Sequence, residues 1–393
     1  MLLSPVNHCL MKMKSLPVLV ITLLLASCAK QNSPVAVAEA IKYLKSANPN
    51  VKMGVAVRDN YYLTWTANYQ PTTNENFSRL TSENDMKFAA IRPTEAQYIY
   101  NDAFINKAKD IGLEVHGHVL AWHNAVPNWL TNKETATPPE QRRSVFLQIL
   151  KTHVTNVVTH YAGIKFPDSS RVVKSWDVVN EAFNDTQAGG GRRQGIWQRT
   201  IGSDYIDSAF TWARRAANGA GNTSLKLFYN DYGYEYDKQK SNSIKGMIDN
   251  LKTITEGGLP VIDGVAMQMH TNTSTTIFKP TGGSAGNAHS IQEGIELMSS
   301  LNILVFISEL DVAYNNPYGA NIPDDQKLAK QNSIYYNVPY LYRYTVPAER
   351  RWGITLWSLT DNTSFQAVQT PCVFDANYVR KDLFFSCYGG LTK

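Results

Sequence analysis

Cysteine is scarce in this chain, with four among 393 residues, and two of them, Cys9 and Cys28, fall close to the N-terminus. At most one disulfide is therefore available to the body of the protein. Long apolar runs are missing as well: the stretch from Leu16 to Ala26 is about eleven residues, short of the roughly twenty that a membrane-spanning helix needs. Charge is thin and nearly balanced, at 18% of residues and a formal net of +5, and the basic residues are scattered. Nucleic acid is not expected as a partner, because it calls for a clustered basic footprint. No unit of about 20 to 50 residues repeats, which excludes a solenoid. What the chain does have is 43% hydrophobic residues, enough to bury a large core; a single barrel domain needs roughly 250 residues.

The N-terminal segment reads as an address. Lys12 and Lys14 precede the apolar run, as in a secretory signal. The run closes in Leu25-Ala26-Ser27-Cys28, which resembles a bacterial lipoprotein box in which Cys28 becomes the lipidated first residue. Residues 1–27 are then the signal peptide, 28–36 a flexible tether and 37–393 the folded body. Export and attachment to a bacterial membrane, expected to be the outer one, follow from this reading. An oxidising compartment would let Cys372 and Cys387 join.

Short apolar runs alternate with helix-period stretches along the body. Strands are expected at 52–57, 77–81, 113–120, 172–179, 225–229, 264–268, 303–307 and 353–356, and helices at 144–160 and 205–217. Eight strands with helical material between most of them predict an α/β fold, the (β/α)₈ or TIM barrel. Chemistry in that architecture sits at the C-terminal strand ends. Glu83, Asn84 and Lys87 follow the second expected strand; His118, Trp122 and His123 lie at or after the third. Asn180 and Glu181 end the fourth, Asn230 and Asp231 the fifth, Gln268 and His270 the sixth, Glu309 the seventh and Trp357 the eighth.

Glu181, closing WDVVNE, and Glu309, closing LVFISE, are the most informative pair. Two carboxyl groups facing one glycosidic bond can hydrolyse it, one protonating the leaving oxygen and the other attacking or activating water.

The ordered pieces TSENDMKF (81–88), GHVLAWH (117–123), VPNW (126–129), WDVVNEAF (176–183), YNDYGYE (229–235), DGVAMQMH (263–270), ISELDV (307–312) and GITLWSLTD (353–361) resemble glycoside hydrolase family 10, the endo-β-1,4-xylanases. The resemblance spans about residues 52 to 381. It implies a retaining enzyme acting on xylan or xylo-oligosaccharides, with Glu181 as acid/base and Glu309 as nucleophile. It implies that Asn180 binds the sugar 2-hydroxyl and that His270 orients the nucleophile, with Gln268 two residues earlier on the same strand face. Glu83, Asn84, Lys87 and His118 resemble the family's glycone-binding groups. Trp122 and Trp357 resemble its aromatic wall, with Phe365 where a second tryptophan is usual. No metal or organic cofactor is implied, and a monomer is expected.

Departures from the family pattern are Phe365 and Phe88 in place of tryptophans, His116 in place of arginine and Gly233 in place of asparagine. FFSCYGGLTK (384–393) replaces the usual closing segment, so a last helix that is short, non-native through a frameshift or replaced by a Cys372–Cys387 staple is expected. A carbohydrate-binding or weakly active degenerate lipoprotein is the alternative reading. A zinc barrel built on His116-x-His118 is disfavoured, because only His270 offers itself on a later strand. The Arg192-Arg193 pair, after a glycine-rich turn, is read as loop solvation.

Overall fold

Eight parallel strands close on one another around a common axis. They are β1 (Met53–Val57), β2 (Arg79–Ser82), β3 (Glu114–Gly117), β4 (Val173–Asn180), β5 (Lys226–Asp231), β6 (Gly264–Met267), β7 (Leu304–Ala313) and β8 (Arg351–Leu356). Each pairs in parallel with the next, and β8 returns to β1 with Met53 opposite Ile354. This computed structural model describes residues 42–316 and 319–393. The expected signal peptide, the expected lipidation site at Cys28 and the expected tether lie outside the described residues.

A helix follows every strand: α1 (Tyr69–Asn76), α2 (Asp102–Asp110), α3 (Pro139–Ala162), α4 (Tyr205–Gly219), α5 (Lys238–Leu251), α6 (Ile291–Ser299), α7 (Asp324–Thr345) and α8 (Asp382–Thr392). The strands read as continuous apolar runs because helices cover their outer face; all five residues of β1 are buried. The helices are one-sided instead. In α4 the buried residues Ile206, Ala209, Phe210, Ala213 and Ala217 return every three or four positions. A capping box between Ser290 and Glu293 starts α6, and Pro139 sits in the first turn of α3, where its missing N–H costs nothing.

The N-terminal end of the barrel is plugged. Phe228, Ala266 and Phe306 form a small buried cluster with Trp352 packed against it. Buried Arg79 lies over the Trp352 ring at 4.6 Å and donates to the Trp352 carbonyl at 3.0 Å. Gly54 makes room there, since a Cβ at that position would stand 2.6 Å from Thr355 Oγ1. With the floor closed, the accessible mouth lies at the C-terminal strand ends.

All eight expected strands are present, and three sequence expectations need correction. The first concerns β7, which does not end at Glu309 but runs on to Ala313. Its ladder with β8 is irregular between Ile307 and Leu310, and its far end is held by a short strand, His270–Asn272, paired with 311–313. The second concerns Cys372 and Cys387, which are both free and buried, so the expected disulfide is absent. Burial pushes both thiols up, that of Cys387 to about 12, which leaves little of the thiolate that oxidation needs. The third concerns the closing segment: FFSCYGGLT is helical and forms most of α8. Gly390 lets α8 seat on α7, where a Cβ would come within 2.0 Å of the Tyr336 carbonyl oxygen.

Candidate active site

The extension of β7 explains the setting of Glu309. Its carboxylate is buried; Asn230 from β5 donates to Oε1 at 2.6 Å, and His270 Nε2 meets Oε2 at 3.1 Å. His270 Nδ1 meets Asp311 Oδ2 at 2.9 Å, two residues further along β7. Burial alone would push the His270 imidazole towards its neutral form, yet Asp311 and Glu309 outweigh it and raise its pKa well above the ordinary 6.5. Burial would likewise raise the pKa of Glu309, but the hydrogen bond from His270 and the charges of His118 and His270 win, and the net shift is downward. The side chain is thus held ionised, as a nucleophile requires.

That balance sets a pH prediction. Replacing His270 with asparagine removes the cation and keeps a donor, so the Glu309 pKa should rise. The acid limb of kcat/KM is then expected to move up by about one pH unit or more. An unchanged acid limb would show that the His270 charge does not hold Glu309 ionised.

Glu181 is positioned differently. β4 ends at Asn180, and the backbone then enters the left-handed region at Glu181, with φ of 52°, a conformation that costs a non-glycine residue energy. Three hydrogen bonds hold the turn: Glu181 N to the Asn230 carbonyl at 2.9 Å, Ala182 N to Tyr229 Oη at 3.1 Å and Arg193 Nε to the Glu181 carbonyl at 3.1 Å. Its carboxyl group accepts from Trp122 Nε1 at 3.0 Å and from Gln268 Nε2 at 3.0 Å. Gln268 also donates to Asn180 Oδ1 at 3.1 Å, so Asn180, Glu181 and Gln268 form one cluster.

The remaining expected residues surround these two. Glu83 is buried, and Arg58 approaches its Oε2 at 3.5 Å. Lys87 donates to Asn84 Oδ1 at 3.1 Å and lies 5.1 Å from the centre of the Trp122 ring. Burial lowers the Lys87 pKa against the pull of Glu309, Glu83 and Glu181, which places its ammonium within the field of all three carboxylates. The rings form a continuous series from Trp122 to His118, Trp357, His270 and Phe365, with successive centroids 6.3, 5.6, 5.9 and 5.4 Å apart. Trp357 is nearly covered, whereas Phe365 is 57% exposed. Phe88 stands apart: it is buried and stacked on His153 at 3.8 Å, a packing residue.

Sequence reasoning missed three residues here and gave a fourth, Asn230, a place on the rim but no role. Asp177 Oδ2 contacts His116 Nε2 at 3.0 Å, His118 Nδ1 at 2.9 Å and Asn230 Nδ2 at 3.2 Å. Asp311 holds His270, Asn230 holds Glu309, and Arg193, read as loop solvation, anchors the Glu181 backbone. Strand alternation could have found two of them, since Asp177 lies four residues before Glu181 and Asp311 two after Glu309. His118, Asp177 and Glu309 bring ligand-type atoms within 4.8 Å of one another. Asp177 Oδ2 already takes three contacts and both Glu309 oxygens have partners, so Asn230 links the two carboxylates into one hydrogen-bonded network.

Comparison with known proteins agrees with this geometry. The profile of glycosyl hydrolase family 10 matches residues 41–389. The chain is 33% identical over 385 residues to endo-1,4-beta-xylanase B of Thermotoga neapolitana, covering 95% of this chain and 96% of that one. It is 31% identical over 319 residues to endo-1,4-beta-xylanase A of Thermoanaerobacterium saccharolyticum, covering 80% of this chain but 25% of that longer protein. Among solved structures, a mutant xylanase 10C from Cellvibrio japonicus in complex with xylopentaose superposes with a TM-score of 0.73. It is 29% identical, over 90% of this chain and 69% of that one.

Proposed function

The chain belongs to glycosyl hydrolase family 10, and from that premise we infer that it is a retaining endo-1,4-β-xylanase, cleaving internal β-1,4 bonds of xylan. The observation that carries this is the unequal treatment of two carboxyl groups on one rim. Glu309 is buried, held by Asn230 and His270 and kept ionised. Glu181 stands on a strained turn at the end of β4, reached by Trp122 and Gln268.

Double displacement follows from that division. Glu309 attacks the anomeric carbon while Glu181 gives its proton to the departing glycosidic oxygen, leaving a glycosyl ester on Glu309. Glu181, now ionised, takes a proton from water, which attacks the same carbon and releases Glu309. Two inversions retain the configuration. Nothing in this sequence of steps calls for a metal or organic cofactor, and one barrel carries every group named, so a monomer suffices.

The chain is further proposed to be exported and tethered to the bacterial membrane through a lipid on Cys28, a reading supported by the short apolar run and the Leu25 to Cys28 box. Fractionating bacteria that express the full chain, and assaying each fraction on xylan, tests both parts. Activity is expected with the membranes and should move to the soluble fraction in a Cys28→Ser variant. Absence of activity from every fraction would sink the hydrolase reading; soluble wild-type activity would sink the anchor alone.

A further inference from the structure

A group of aromatic side chains outside the site adjoins Glu83. The helix that follows β1, Asp59–Thr64, begins beside Arg58, whose Nε lies 3.5 Å from Glu83 Oε2 and whose guanidinium carbon is 5.8 Å from the centre of the Tyr61 ring. Tyr61 in turn stacks on Trp65, with centroids 3.9 Å apart and planes 10° from parallel. Tyr69 backs both rings edge-on, at 6.3 and 6.0 Å. Trp65 nevertheless leaves 39% of its surface open, among exposed Thr64, Thr66, Ala67 and Asn68.

A tryptophan propped by two tyrosines and left open to water loses apolar burial without any structural return, unless something else covers it. Its place in the fold indicates what that is. β1 is separated from β4, which carries Glu181, by β2 and β3, and from β7, which carries Glu309, by β8. Contacts run outward from Glu83 through Arg58 and Tyr61 to Trp65. Glu83 resembles a glycone-binding group, so a sugar chain held at Glu83 and continuing away from the scissile bond would next meet this ring.

We propose that Trp65, stacked on Tyr61, is a distal glycone subsite that takes a further xylosyl unit of the same chain, its flat C–H face against the indole. The proposal rests on the xylanase reading above. Each stacked unit should improve kcat/KM by roughly 3- to 10-fold.

Aryl β-xylosides with two, three and four xylosyl units share one leaving group and differ only on the glycone side. The purified wild-type protein is expected to show kcat/KM rising with length beyond two units. In Trp65→Ala the ratio of the four-unit to the two-unit value should fall by roughly 3- to 10-fold, while Trp65→Phe, which keeps a ring, should restore most of it. An unchanged ratio in Trp65→Ala overturns the subsite, and so does a loss that Trp65→Phe reproduces in full. A wild-type protein that cleaves none of the glycosides overturns the xylanase reading itself, a distinguishable failure.

Discussion

Glu309→Ala is expected to lower xylan hydrolysis by on the order of 10⁵-fold, because no other group in the site can form the glycosyl ester. The loss should be chemical rather than structural. Asn230 keeps its bond to Asp177 and His270 keeps Asp311, so the far- and near-ultraviolet circular dichroism of the variant should match the wild type. Acid stability should change in a defined direction. A carboxyl group whose folded pKa lies below its ordinary 4.5 contributes stability above that value and withdraws it as pH falls further. Without Glu309 that part of the acid sensitivity should disappear. Release of reducing ends from xylan, measured beside the dichroism spectrum, checks the main claim; residual activity above about one hundredth of wild type would refute Glu309 as nucleophile.

Glu181→Ala should behave differently, and the difference separates the two roles. On xylan, where the departing sugar oxygen needs a proton, a loss of about 10³- to 10⁴-fold is expected. On an aryl xyloside with an acidic phenol the first step needs little help, so ester formation should stay fast while ester hydrolysis slows. A burst of phenol followed by slow turnover is the expected trace. The basic limb of the wild-type pH profile, which reports the acid losing its proton, should vanish. A Glu181→Ala profile that kept that limb would remove Glu181 from the acid role.

Much of the architecture was legible because parallel barrel strands are apolar on both faces and stand out as runs. The seventh strand was cut short because SELD, four mostly polar residues, looks like a strand leaving the core. In the structure those residues stay buried because Asn230 takes up Ser308 and Glu309 while His270 takes up Glu309 and Asp311. The two glutamates, Trp122, Gln268 and His270 could be placed from the sequence because each sits at or near a strand end. Arg193 could not, since its function is a contact made from a loop to the backbone of Glu181. The cysteine pair misled because permission to oxidise depends on the compartment, whereas burial and separate packing are set by the fold. FFSCYGGL misled in the opposite way: it departs from the family's closing segment, yet it is helical, and Gly390 lets α8 lie against α7.

Asn230 connects three strands at the barrel mouth. Its amide nitrogen donates to Asp177 on β4 and to Glu309 on β7, while its amide oxygen accepts from Ser308 at 2.8 Å. Aspartate in its place would set a third carboxylate beside two others and supply no donor; leucine would fill the space, leave Glu309 Oε1 bare and take one of three partners from Asp177 Oδ2. Glutamine carries the same amide one methylene further out, and serine falls short of both carboxylates. Asparagine carries two N–H donors and an oxygen acceptor on one carbon, which a neutral imidazole, with one donor and one acceptor, does not. Position 230 therefore has little chemical freedom to drift so long as Asp177, Glu309 and Ser308 are all to be satisfied by one side chain.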